Sequence, residues 1–371
     1  MTRRLFEPIT LPTADGAGLR IRNRAFVAPM CQYAIDAEDG VPTDWHLVHL
    51  GAHASGGFGL VMTEATGVEA RGRISPRDVG LYTDAQQAAH ARIAAFVHSQ
   101  GALAGVQLAH AGGKASTYPS LPGHPAATVP ASERGWPTVS AADGPVLPAL
   151  DAATALDEDS IAEVVAAFAD SARRADEAGY DVVQIHAAHG YLVHQFLSPL
   201  TNTRTDGYGG TEEGRTRLVL EIAAAVRKVW PAHKPLGIRV SGTDWTDGGW
   251  DIEATARLVR RLADEAGVTW VDVSSGGLTN GATIPTGPGY QVPLAAHLST
   301  ALAGTGVVVS AVGLIEDALQ AETILITGQA DAVSIGRAAL RNPHWAAQAA
   351  ADLGVPAADI PAAPQYWRAR W

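Results

Sequence analysis

Residues 180–191 read Tyr180-Asp-Val-Val-Gln-Ile-His-Ala-Ala-His-Gly-Tyr191. The first half alternates little and is rich in β-branched apolar residues, the pattern of a parallel strand covered on both faces. That places His186 at a strand's carboxyl end, with His189 and Tyr191 in the short turn that follows. Residues three apart share a face in such a turn, so His186 and His189 can aim ring nitrogens at one small acceptor, with the Tyr191 phenol beside them. A carbonyl oxygen suits the pair. A lone histidine or tyrosine at a strand end is more often a satisfied structural residue, but three such groups clustered together point to an enzyme. The rival chemistry is metal ligation. A catalytic zinc takes a third protein ligand, no carboxylate lies between Gln184 and Tyr191, and only His110 or Glu64 could approach in space. No metal is expected.

The same strand type recurs along the chain. Ala25 to Ala28, Leu60 to Glu64, Ala104 to Leu108, Asp181 to Ile185, Leu236 to Val240, Trp270 to Val273, Val307 to Ser310 and Ala332 to Ile335 make eight candidate strands. Amphipathic stretches alternate with them: Asp84 to Ser99, Asp159 to Ala178, Glu213 to Val229, Ile252 to Ala266, Pro293 to Ala303, Glu316 to Thr327 and Ala338 to Ala350. Eight strand-helix units favour an α/β fold closed as a (β/α)8 TIM barrel over an open doubly wound sheet. The chain of 371 residues fits one such domain, 1–371. Residues 1–24 read as an N-terminal β-hairpin over the barrel's bottom, residues 111–150 as a capping excursion after the third strand expected to be antiparallel, and 353–371 as a C-terminal tail. Gly276 to Tyr290 is a second long loop on the same face.

Composition narrows the partners. A formal charge of −11 argues against RNA, DNA or an anionic membrane and for a small-molecule substrate. The basic start lacks the apolar run of a leader, and no stretch is long enough to span a bilayer, so a cytoplasmic enzyme is expected. One cysteine, Cys31, allows no internal disulfide and deserves individual notice.

Laid on the barrel, the polar residues converge on its carboxyl-end rim, where such barrels do their chemistry. Cys31 follows the first strand and Glu64-Ala65 ends the second. Gln107 and His110 end the third, His186 to Tyr191 the fourth, and Arg239 the fifth. The seventh strand runs into Gly313 and the eighth into Gly336-Arg337, small residues and an arginine where two adjacent loops cradle a phosphate. The spacing suits flavin mononucleotide. Gln107 can pair its ring edge and Arg239 can stabilise the locus that becomes anionic on reduction. Alternatively, Arg239 pairs with a buried carboxylate such as Asp272.

Five stretches carry a resemblance over nearly the whole length: Asn23-Arg24 to Ala28-Pro-Met-Cys-Gln-Tyr33, Gln107-Leu-Ala-His-Ala-Gly112, His186-Ala-Ala-His-Gly-Tyr-Leu192, Phe196-Leu-Ser-Pro-Leu200 to Arg204-Thr-Asp-Gly-Tyr-Gly-Gly210, and Gly336-Arg337. The chain resembles the Old Yellow Enzyme family of FMN-dependent ene-reductases, in its thermophilic-like, or classical thermostable, branch. The resemblance implies reduction of activated C=C bonds in enones and enals, with NADPH or NADH delivering hydride to flavin N5 in a ping-pong cycle. It implies that His186 and His189 bind the substrate carbonyl and that Tyr191 donates the proton. Pro29, Met30, Cys31, Ala65, Gln107, Arg239, Gly313, Gly336 and Arg337 would hold FMN, Cys31 tuning its potential, while Tyr33 and Lys114 shape the substrate side. Gly113 stands where the family usually has an arginine. The tail resembles the branch's C-terminal segment, in which an arginine, Arg368 or else Arg370, enters the neighbouring subunit's site. That implies a homodimer, or a tetramer built from dimers. Other FMN barrel dehydrogenases, an idle flavin-binding protein and a metal-dependent barrel hydrolase using His186 and His189 are the alternatives.

Overall fold

The structure, a computed structural model, describes residues 3–369; Arg370, the alternative tail arginine, lies outside them. Two short strands, β1 (Ile9–Leu11) and β2 (Leu19–Ile21), pair antiparallel with Ile9 opposite Ile21. They lead into β3 (Ala25–Val27), β4 (Leu60–Gly67) and β5 (Leu103–Ala109). The excursion after β5 holds β6 (Val139–Ser140) and β7 (Thr154–Ala155). Then come β8 (Val182–Ala187), β9 (Leu236–Ser241), β10 (Val268–Ser274), β11 (Val308–Val312) and β12 (Ala332–Ile335). All strands but the hairpin and the β6–β7 pair form one closed parallel barrel, sealed where β12 pairs with β3.

The barrel closes because its strands are apolar on both faces. Every residue of β4, β8, β9, β11 and β12 is buried, the outer face under helices and the inner face against the opposite wall. At the amino-terminal end, Ile9, Leu11 and Ile21 of the hairpin pack onto Phe26, Leu60, Met62, Val182 and Trp270 and plug the bottom. Trp270 meets Phe26 edge-on, ring centres 5.9 Å apart.

Higher up, the interior turns polar. The Trp270 indole N–H donates to Ser310 Oγ (2.9 Å), and the hydroxyls of Ser310 and Ser334 donate to Asp272 Oδ1 (2.7 and 2.8 Å). The Asp272 Oδ2 atom lies 3.0 Å from Arg239 Nε. One carboxylate therefore ties β9, β10, β11 and β12 at the level where the core gives way to the rim.

All eight expected strands are present, and the helices Asp84–Ser99 and Ile252–Ala266 have their expected limits. Three details differ. The helices Asp44–Ser55 and Leu192–Leu197 are additional. The stretch expected as one helix over 338–350 is two, Arg337–Arg341 and Trp345–Asp352, because Pro343 lacks an N–H and its ring blocks the preceding turn. In the cap, β6 and β7 pair parallel rather than antiparallel; the antiparallel contacts there are the single bridges Thr117 to Thr128 and Gly144 to Ala153. Among the described residues no helix is long and apolar enough to cross a membrane.

Candidate active site

The β8–β9 register sets His186 beside Arg239, and the β9–β10 register sets Arg239 beside Asp272. The turn leaving β8 folds His189 and Tyr191 back over His186. Their ring centres both lie 5.1 Å from that of His186, at interplanar angles of 88° and 80°. The three groups grouped by sequence are thus one cluster in space.

The turn is held against its own strain. His189 adopts a left-handed backbone, φ 60°, which costs a non-glycine residue on the order of 1 kcal/mol or more and persists only where neighbours enforce it. Here the His189 N–H donates to Ser241 Oγ (3.0 Å), while its carbonyl accepts from Lys114 Nζ (2.7 Å). Next to it, Gly190 lies against Gly277 so closely that a Cβ on Gly190 would strike the Gly277 carbonyl. The Gly190 N–H donates to His194 Nδ1 (2.9 Å), which leaves the His194 proton on Nε2, 2.8 Å from Asp244 Oδ1. Gln195 completes the clamp. Its amide donates to the carbonyls of Gly190 and Ala111, and its oxygen accepts from Gly113 N–H and Ser140 Oγ. None of His194, Gln195, Ser241 or Asp244 is singled out by the sequence, since their meaning lies in partners far away along the chain.

Burial separates the protonation states. It pushes His186 and His189 well below the ordinary imidazole range, with the Arg239 charge adding to the effect, so both rings are neutral. Burial, then the neighbouring Cys31, Tyr33 and Asp78, pushes the Tyr191 phenol far up, so it keeps its proton. Lys114 is lowered to about 8 by burial. Its ammonium is committed to the carbonyls of His189 and Gly277 (2.7 and 2.9 Å) and sits 4.9 Å from the Tyr191 ring centre.

Behind Cys31 lie Glu64 and Asp78, the three ligand-capable atoms within 4.8 Å of one another. Burial, then Asp78 and Glu64, raises the Cys31 thiol, so it is not a thiolate. Asp78 is raised to about 8, first by burial and then by the Glu64 charge. This trio, rather than the histidine pair, is the group of His, Cys, Asp or Glu side chains close enough to share an ion among the described residues. His186 and His189 belong to no such group among the described residues.

The rim also has the features that a flavin mononucleotide requires. Gln107 Nε2 donates to Gln184 Oε1 (2.7 Å), while the buried Gln184 Nε2 has no hydrogen-bond partner among the described residues. A buried donor of that kind calls for an acceptor such as a ring carbonyl. Arg239 does pair with Asp272, as the alternative reading held, and it also lines a cleft with Gly313, Gly336 and Arg337, the expected phosphate cradle. Arg337 is exposed and has no carboxylate partner among the described residues. Met30 lies against Gly336, the Pro29 carbonyl faces Arg239 at 3.5 Å, and Ala65 packs in a small cluster with Cys31 and Tyr191.

On the other side, Tyr33, Lys114 and Tyr191 line a cleft that continues under the cap past Tyr118, Leu147 and Leu150. Gly113 is explained by that cap, since a Cβ there would run into the Val146 side chain. Arg368 lies apart, its guanidinium 5.3 Å from the Trp367 ring centre on the turn Pro364–Ala369.

Comparison with known proteins agrees with this geometry. Residues 4–355 match the model of the NADH:flavin oxidoreductase / NADH oxidase family. An NADPH dehydrogenase of Listeria monocytogenes is 44% identical over 349 residues, 94% of this chain and 95% of its own length. An NADPH dehydrogenase of a Geobacillus species is 40% identical over 368 residues, covering 99% of both. Among solved structures, morphinone reductase superposes with a TM-score of 0.74 at 27% identity, over 100% of this chain and 90% of its own.

The Asp78 carboxyl provides a pH test. Its pKa rises on folding from 3.8 to about 8, so the folded state binds the extra proton between those values and stability falls as pH rises across that window. Asp78→Asn mimics the protonated carboxyl at every pH and so removes this pH dependence. Melting temperatures of wild type and variant, measured from pH 4.5 to 8.5, should lie closest at low pH and diverge as pH rises, the wild type falling below the variant; parallel curves would show that Asp78 titrates normally.

Proposed function

This chain belongs to the NADH:flavin oxidoreductase / NADH oxidase family, as an FMN-dependent, nicotinamide-driven oxidoreductase of Old Yellow Enzyme type, and we propose that it reduces the activated C=C bond of enones and enals. The observation that carries the reading is the cluster of His186, His189 and Tyr191, two neutral imidazoles and a protonated phenol around one small space. FMN, when bound, supplies the two-electron carriage, accepting hydride from the nicotinamide and passing it to the substrate's β-carbon.

The protein's own part is binding and proton management. His186 and His189 donate to the substrate carbonyl and stabilise the charge that gathers on its oxygen, an effect worth about 3 kcal/mol per well-placed donor. Because both rings are neutral, they donate hydrogen bonds without surrendering a proton to that oxygen. Tyr191 holds its proton until a strongly basic carbon forms beside it, which the α-carbon of the developing enolate becomes. Gln107, Arg239, Gly313, Gly336 and Arg337 hold the flavin, with Pro29, Met30, Cys31 and Ala65 along the ring. Nicotinamide and enone use one cleft, so they take turns.

The substrate's body lies under the cap. Tyr118 turns its hydroxyl away to Glu133 (2.8 Å), the lining there is otherwise mostly aliphatic, proline or small, and the Lys114 ammonium is already hydrogen-bonded to two backbone carbonyls. That lining favours neutral, apolar enones. A homodimer is supported by exposed Trp45 and Val48 on the helix Asp44–Ser55 and by exposed Tyr366 and Trp367 in the tail, large apolar side chains that mark contact surfaces. Trp45 reaches Gln32, the neighbour of Cys31 (3.3 Å), so this face adjoins the site, and Arg368 is the tail arginine we assign to a partner's site.

Two outcomes are expected. In stopped-flow experiments Tyr191→Phe slows reoxidation of the reduced flavin by cyclohexenone about 100-fold or more while NADPH-driven reduction is nearly unchanged; unaltered reoxidation removes Tyr191 from its role. Along straight-chain 2-enals from six to ten carbons, kcat/KM climbs severalfold, each buried methylene contributing up to about 0.8 kcal/mol. A flat series would mean the body of the substrate never enters the cap.

A further inference from the structure

Two donors for one carbonyl require two particular tautomers, and a neutral imidazole has only one N–H. For His186 the backbone decides. The Ala188 N–H points at His186 Nδ1 (3.3 Å), so Nδ1 is the acceptor and the proton sits on Nε2. For His189 no backbone group does this. Its Nε2 instead meets the Ser274 hydroxyl at 2.7 Å, an atom that can donate or accept.

The direction of that bond is set one step further back. Gln291 is buried, and its amide orientation is locked because Nε2 donates to the Val312 carbonyl (3.0 Å). Its Oε1 therefore faces the two neighbouring serines. Ser275 takes it at 2.6 Å, a short hydroxyl bond, whereas Ser274 is 3.3 Å away. The Ser274 proton thus has one weak acceptor, already served, and one strong acceptor 0.6 Å nearer in the His189 ring. Hydroxyl bonds are strongest near 2.7 Å and fade beyond 3 Å.

We propose that Ser274, its proton released by the Gln291–Ser275 bond, donates to His189 Nε2 and so fixes His189 as the Nδ1–H tautomer. Ser274 is then a positioning residue, acting through His189. The pair presents Nε2–H from His186 and Nδ1–H from His189, the different nitrogens that the opposed rings, 88° apart, can bring to one oxygen. In the other tautomer a bare Nδ1 lone pair would face the carbonyl oxygen and repel it. The proposal rests on the reading that the pair binds a carbonyl, but the tautomer itself can be measured without a substrate.

The test uses FMN-loaded enzyme with ring-15N histidine, in which nitrogen shifts and long-range couplings distinguish Nδ1–H from Nε2–H; loss of signals in His189→Asn assigns the ring. Wild type is expected to show a protonated Nδ1 and a bare, hydrogen-bonded Nε2 at His189. Ser274→Ala should move the ring to the Nε2–H form or to a mixture, and Ser274→Thr, which keeps the hydroxyl, should restore Nδ1–H. Affinity for p-chlorophenol, read from its long-wavelength band with the flavin, should fall about 10-fold in Ser274→Ala and recover in Ser274→Thr. A wild-type His189 carrying its proton on Nε2 overturns the proposal whatever the variants do, as does an Nδ1–H that survives Ser274→Ala. If the tautomers behave as expected but p-chlorophenol binds equally well to His186→Ala and His189→Asn, the carbonyl-site reading fails and the role of Ser274 toward the ring stands.

Discussion

The site depends on a carboxylate that never reaches solvent. Asp272 is fully buried at the centre of the barrel, where it accepts from Ser310 and Ser334 and faces Arg239. Burying two charges is expensive, and such a pair survives only when the remaining lone pairs are satisfied, as the two serine hydroxyls do here. What the arrangement fixes is orientation. With its Nε held toward Asp272, the Arg239 guanidinium stands at the rim, where its charge also keeps His186 and His189 neutral. Two residues beyond Asp272 on the same strand stands Ser274, against His189. One buried anion thus orders both the Arg239 side and the His189 side of the rim.

The barrel was legible because its strands are buried on both faces. Such strands must be runs of β-branched and small apolar residues, and a run of that kind can be recognised without knowing its neighbours. The rim residues followed, since a polar side chain just past such a run has one place to go. The helix Asp44–Ser55 was not legible for the converse reason. It carries His46, His49 and His53 where an amphipathic helix would carry leucines, and its rings pack in a chain, His49 on Trp45 and His53 on Phe58. The cap is dominated by turns, so the direction in which its two short strands pair depends on the path of the chain rather than on composition.

Within the site, the clustered groups His186, His189 and Tyr191 could be named from sequence, while those that hold them could not. Serine and glutamine occur everywhere on a protein, and Ser241, Ser274 and Gln195 acquire meaning only from a partner 52 or more residues away, Gln291 from one 21 residues away. Glu64 and Asp78 are similar. Each is an ordinary acidic residue in sequence, and only the fold buries both behind Cys31, where burial and then the Glu64 charge raise the Asp78 carboxyl.

That neighbourhood bears on the thiol. A cysteine beside a cation or a helix start ionises and becomes reactive, whereas burial and then the acidic groups Asp78 and Glu64 keep Cys31 a neutral thiol. It can donate a weak hydrogen bond and pack against a flat ring, but it cannot act as a nucleophile without shedding a proton into a negatively charged neighbourhood. Lys114, on the substrate side, spends two of its three N–H donors on backbone carbonyls. On the proposed reading, substrate recognition falls to neutral donors, His186, His189 and Tyr191. Neutral donors discriminate by direction rather than by charge, which is why the tautomer of one imidazole carries more weight in this pocket than the net charge of everything around it.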